Sequence, residues 1–126
     1  MAVSADLYAG SLNISVLTLN DDLRKGSRFN IEVETIYGVF EYNNVNNGDR
    51  LVDWSRRNFR VYIPDWVRPE DITGGRISYE SGSCFLCSQD NWTMGYVGVE
   101  LVGSGRVLYK GYHRFTGGSP QTRLYD

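Results

Sequence analysis

The chain is short of the residues on which most side-chain chemistry depends: one histidine, two cysteines and three prolines in 126 positions. With a single histidine there is little to build a relay or a histidine-based metal cage. No nucleophile elbow of the form G-x-S-x-G, no H-E-x-x-H and no phosphate-cradling glycine loop accompanies it. Catalysis is not expected. The two cysteines do not make a disulfide framework, so they do not reveal a compartment. Cys84 and Cys87 have C-x-x-C spacing, but zinc would need further ligands and a redox dithiol normally opens a helix in a βαβ setting that is missing here. They read as unreactive thiols, or as a short-range disulfide in an oxidising compartment.

Neither charge sign dominates. Thirteen basic residues against fifteen acidic leave a net charge of −2, so no general attraction to phosphate backbones is expected and nucleic acid is set aside as a partner. No run approaches the ~18 apolar residues of a membrane-spanning helix, and Met1 to Asp6 lacks the charged and apolar regions of an export signal. A soluble protein, cytoplasmic by default, is the expectation; secretion by another route or as a mature fragment stays open.

What is present favours strands. Nine Tyr, five Phe and three Trp accompany fourteen Gly, a mixture that fits pleated sheets joined by tight turns. Leu12, Ile14 and Val16 alternate with Asn13 and Ser15; Phe29, Ile31 and Val33 with Asn30, Glu32 and Glu34; Phe59, Val61 and Ile63 with Arg60 and Tyr62; Val97, Val99 and Leu101 with Gly98 and Glu100. Each is the period-2 mark of a half-buried strand. Val39 to Tyr42, Ile77 with Tyr79, Val107 to Tyr109 and a last short strand near His113 to Phe115 complete about eight. Asn43 to Arg50, with Asn47-Gly48 at its centre, reads as an exposed turn-rich loop. Pro64 ends a strand, and Arg68 to Ile72 has room for one helical turn at most. The expected architecture is all-β: one antiparallel sandwich domain over residues 1–126.

Two segments carry a family likeness. Thr18 to Val33, an acidic turn Asn20-Asp21-Asp22 followed by Gly26-Ser27 and a strand, and Asp90 to Val99, with Asp-Asn-Trp before a strand, resemble the PLAT (lipoxygenase-homology) and C2-like domains. Arg114-Phe115-Thr116-Gly117 is similar to a frequent ending of that family. The likeness runs from about Leu12 to Gly117, with the middle third matching in pattern alone. It implies an eight-stranded sandwich that docks proteins onto lipid, membranes or partner proteins, with calcium at the loops of some members and no catalysis.

Several side chains are candidates for that work. Calcium takes six to eight oxygen ligands, and Asn20, Asp21, Asp22, Asp90 and Asn91 are oxygen-bearing residues at strand ends; the plainer reading is that the aspartates cap turns, bond loop amides or pair with Arg24. Phe85-Leu86 forms an apolar tip beside an acidic loop, suited either to insertion into a lipid or partner surface or to folding back on the sandwich. Trp54 and Trp66 flank an arginine-bearing strand and join this proposed ligand or membrane tip, against the alternative of half-buried aromatics on a solvated face. Trp92 is expected to seal the core. The leading reading is a non-catalytic recognition module for membrane lipid headgroups or a protein partner, with calcium assistance as an option. A structural or virulence-associated interaction protein, working by self-assembly or as an adaptor, and a carbohydrate-binding module using Trp54, Trp66 and exposed tyrosines are the alternatives.

Overall fold

The computed structural model describes residues 10–83 and 88–126. Among the described residues nine strands form two antiparallel sheets. They are β1 (Ser11–Thr18), β2 (Arg28–Thr35), β3 (Gly38–Tyr42), β4 (Arg56–Tyr62), β5 (Ile72–Glu80), β6 (Trp92–Leu101), β7 (Arg106–Lys110), β8 (His113–Phe115) and β9 (Gln121–Leu124). Pro69–Asp71 makes one 3-10 turn. The first sheet runs β4-β1-β6-β7, with β8 continuing along β6, and the second runs β3-β2-β5-β9. The all-β sandwich read from the alternation is therefore the fold. The expectation that His113 to Phe115 ends the strands fails: β9 follows. Its Thr122 and Arg123 sit on an edge with only Leu124 fully buried, so its four residues show almost no hydrophobic alternation.

The alternation in β1 and β2 becomes two facing inner surfaces. Leu12, Ile14 and Val16 meet Phe29, Ile31 and Val33 in the core, joined by Ile77, Val97, Val99 and Leu108. Trp92 is fully buried, stacks on Phe115 at 4.9 Å between ring centroids, and donates its indole N–H to the Thr18 hydroxyl at 3.1 Å. It does seal the core, and its one polar atom is satisfied on the way.

One side of the sandwich is stitched shut. Tyr109 and Tyr125 exchange main-chain hydrogen bonds of 2.6 and 2.8 Å, linking β7 of one sheet to the residue after β9 of the other. On the opposite side, β3 and β4 are both edge strands, and their half-buried Phe40, Tyr42, Phe59 and Val61 pack against the core.

Candidate functional site

Antiparallel pairing brings four connections to one end, their described residues being 19–27, 43–55, 81–83 with 88–91, and 116–120. The first two are bound to each other through the main chain. Leu23 and Leu51, both buried, pair as an isolated bridge; Leu19 N–H and the Asp21 carbonyl both bond Thr93; Trp54 N–H donates to the Leu19 carbonyl at 2.9 Å. Gly82 approaches so closely that a β-carbon there would lie 2.5 Å from the Gly26 carbonyl carbon; only glycine fits.

Asn46 anchors this end from inside. Its amide is fully buried, with Oδ1 accepting from Phe29 N–H at 3.0 Å and Nδ2 donating to the carbonyls of Ser27 (2.9 Å) and Asp49 (2.8 Å). The side chain stands in for a strand partner where β3 has ended. Reading Asn43 to Arg50 as an exposed turn is right for exposed Asn47, and its turn character for half-buried Gly48, with φ values of +52° and +70°. It misses Asn46, because a buried asparagine and an exposed one look alike in a run of four.

The acidic residues are gathered at this end, yet each faces its own cation or amide. Asp21 pairs with Arg114 at 2.9 Å and Asp22 with Arg50 at 2.5 Å. The Asp22 carboxylate holds the Arg50 guanidinium even more firmly protonated than usual. Asp90, buried, accepts from Arg24 N–H at 2.9 Å, while its own N–H donates to Ser81 Oγ and its carbonyl accepts from the Tyr79 hydroxyl at 2.8 Å. Burial is the main reason the Tyr79 hydroxyl titrates above its ordinary range. Asn20 is exposed and Asn91 half-buried. Among the described residues no three His, Cys, Asp or Glu side chains converge on a point where a metal ion would sit. The five residues named as calcium ligands thus share an end of the sandwich without forming a ligand shell, because arginines and main-chain amides already neutralise the carboxylates. The described residues, so paired, do not fit calcium.

Trp54 and Trp66 do not form one tip. They flank β4, a seven-residue strand, and so lie at opposite ends of the sandwich. Trp54 belongs to the acidic end, is 71% exposed, and adopts φ +58°. Beside it Val52 is also exposed. Trp66 lies with Ile36, Tyr37 and Val39 at the far end, its ring meeting Tyr37 edge-on at 5.0 Å. Phe85, Leu86 and the Cys84–Cys87 pair lie outside the described residues.

His113 meets Ser119, its Nε2 lying 3.3 Å from both the carbonyl oxygen and the hydroxyl of that residue. Among the described residues no carboxylate forms an ion pair with the ring.

No protein-family model and no curated protein matches this sequence. Solved structures do match. An alpha toxin from Clostridium absonum is 16% identical with a TM-score of 0.68, over 91% of this chain and 31% of the toxin. An engineered lipoxygenase (Delta413-417:GS I805A) is 13% identical with a TM-score of 0.66, over 92% of this chain and 16% of the enzyme. A coral 8R-lipoxygenase, described as activated by calcium through a C2-like domain, is 14% identical with a TM-score of 0.62, over 91% of this chain and 16% of its own. The chain thus spans less than a third of the length of each. At these identities the likeness is one of fold, and it agrees with the resemblance carried by the Asp21-Asp22 turn and the Asp90-Asn91-Trp92 segment: the chain has the PLAT/C2-like sandwich fold.

Proposed function

We propose that this chain is a non-catalytic recognition domain that docks on a lipid surface through the loop end carrying Val52 and Trp54. One observation carries the reading: a tryptophan 71% exposed on a backbone held at φ +58°. Left-handed backbone costs a non-glycine residue about 1–2 kcal/mol, and an indole so exposed recovers little of it by packing. Strain held at an exposed aromatic is a mark of a functional position. An indole, apolar in body with one polar N–H, suits the boundary between headgroups and acyl chains. Exposed Lys25 and Arg57 share this end and would face headgroup phosphates. The likeness in fold to a coral lipoxygenase described as activated through a C2-like domain supports an accessory role for such a sandwich.

The test is co-sedimentation with phosphatidylcholine vesicles containing a minor fraction of phosphatidylserine, in calcium and in EDTA. Burying one large apolar side chain is worth about 1.5–3 kcal/mol, so Trp54→Ala is expected to weaken partitioning by at least about tenfold. The paired carboxylates predict the same binding with and without calcium. Equal partitioning of the variant and the parent would refute the reading. Calcium-dependent binding abolished by both Asp21→Ala and Asp90→Ala would mean that the aspartates leave their arginine and amide partners to take a metal. Contact with a protein partner is the second reading, favoured by the exposed Ile36, Tyr37, Val39 and Trp66 at the opposite end. Trp66→Ala abolishing a protein contact while vesicle binding persists would assign the two ends separately.

A further inference from the structure

The outer face of the β4-β1-β6-β7 sheet carries a surface that the loop end does not use. Alternation along β6 that buries Val97 and Val99 turns Tyr96, Gly98 and Glu100 outward. Register then places Ser15 beside Gly98 and Asn13 beside Glu100 on β1, with Asn58 and Arg60 next on β4 and Tyr109 beside Gly98 on β7. Between Asn13, Ser15, Arg56, Tyr96 and Glu100 lies an open groove of about 190 Å³ with Gly98 in its floor.

Gly98 shapes this groove. A β-carbon there would stand 2.5 Å from the Tyr96 hydroxyl and 3.1 Å from two of its ring carbons, so the tyrosine ring lies along the sheet over the glycine instead of standing out from it. The Arg56 guanidinium sits 5.9 Å from the ring centroid. Ser15 Oγ donates to Asn58 Oδ1 at 2.5 Å, and Asn13 Nδ2 reaches Ser15 Oγ at 3.4 Å. These bonds preset the polar side chains before any ligand arrives.

We propose that this groove binds an oligosaccharide chain. A pyranose offers one C–H-rich face that packs on an aromatic ring and a rim of hydroxyls, each of which both donates and accepts. The groove supplies the laid-down Tyr96 ring for the first. For the second it offers donors on Arg56 and Asn13, and acceptors on Glu100 and the remaining lone pair of Ser15 Oγ. The mixture argues against other occupants. A single-stranded nucleic acid calls for an unbroken basic track with successive stacking rings, whereas Glu100 stands opposite Asn13 in the middle of this face. An apolar peptide would leave the amides, guanidinium and carboxylate unpaired, each at the cost of its desolvation. The groove is open, so several sugars of a chain can lie along it.

The experiment is a glycan array of neutral and acidic oligosaccharides probed with the full chain, followed by calorimetry on the best binder. Tyr96→Ala and Gly98→Val are the test variants, Trp54→Ala the control, and circular dichroism confirms that each folds. Gly98→Val keeps the tyrosine but displaces its ring, so it separates platform geometry from the mere presence of an aromatic. The expected result is binding weakened at least about tenfold, or 1.4 kcal/mol, in both test variants and unchanged in Trp54→Ala. That control keeps this proposal independent of vesicle docking. Four results would overturn it: no glycan bound, Tyr96→Ala binding as well as the parent, an oligo-dT strand bound in this groove in preference to every glycan, or light scattering showing a dimer that Tyr96→Ala converts to monomer.

Discussion

Asn46 offers a sharp test of how the loop end is held. Asn46→Ala removes three hydrogen bonds at once and leaves the Phe29 N–H, beside a fully buried phenylalanine, without its acceptor. A buried unsatisfied donor costs about 1–3 kcal/mol and each further lost bond about 1, so the sum is about 3–5 kcal/mol. For a domain of this size that lowers Tm by about 10–20 °C. Asn46→Asp separates geometry from charge. Its Oδ1 still accepts from Phe29, but Oδ2 meets the Ser27 and Asp49 carbonyls where the amide donated. In the acid form one O–H still donates, and the variant should be more stable than Asn46→Ala at about pH 4. As pH rises, the unfolded chain ionises above about pH 3.9 while the folded site resists burying a charge against two carbonyl oxygens, so its folded pKa is raised. The unfolded state then binds fewer protons than the native one, and stability falls by up to about 1.4 kcal/mol per pH unit until the folded pKa is passed. Thermal melts across pH 4–7 should show the Asp variant crossing below the Ala variant. If the two track each other at every pH, or if Ala costs under about 1 kcal/mol, Asn46 is not the anchor described.

Three smaller expectations can be checked by the same melts. Trp54→Gly should melt higher than Trp54→Ala by a few degrees, because relief of about 1–2 kcal/mol of left-handed strain exceeds the roughly 0.4–1 kcal/mol that glycine adds to the freedom of the unfolded chain; equal melting would remove the strain argument. Tyr42 buries a hydroxyl that has no partner among the described residues, and burial pushes its pKa up to about 12; Tyr42→Phe should be neutral or stabilising by up to about 1 kcal/mol, and a clear loss would reveal a hydrogen bond to that oxygen. Arg123 grips Glu34 with two hydrogen bonds of 2.7 and 3.1 Å and, chiefly through them, holds its carboxyl below the ordinary value of 4.5. A lowered folded pKa contributes stability above about pH 4.5 that fades as pH falls. Glu34→Gln should therefore melt slightly lower than the parent at pH 7, the exposed pair being weak, and level with it in acid.

The core was legible in the sequence because burial imposes period 2. Leu12, Ile14, Val16, Phe29, Ile31 and Val33 are apolar on alternate positions, and all are buried. Trp92, preceded by Asp90-Asn91, was legible as a core residue for its size and its place before a strand. Edge positions lack that constraint. In β9, Thr122 and Arg123 bond along the edge and through Glu34, so the strand depends on main-chain pairing with Ile77 and Arg76 rather than on a hydrophobic stripe. Nothing in Gln121 to Leu124 distinguishes that strand from a tail.

The candidate sites were legible only as an inventory of residue types, since their arrangement depends on non-local register. The sequence puts Asp21, Asp22 and Asp90 near strand ends, and the fold does bring them to one end. What it could not convey is that Arg114 and Arg50, 93 and 28 residues away from their partners, arrive at the same end and neutralise two of them. Trp54 and Trp66 looked equivalent as flanks of one strand, but a strand of seven residues separates its flanks by roughly 20 Å at about 3.3 Å per residue. The same length that made them a pair on paper makes them two sites in space. The Tyr96–Gly98 alternation was written in the chain as plainly as Val97–Val99. Its meaning waited on β1 and β4 to supply Asn13, Ser15 and Arg56 on the same face, because a binding surface on a sheet is a property of neighbouring strands and not of any one of them.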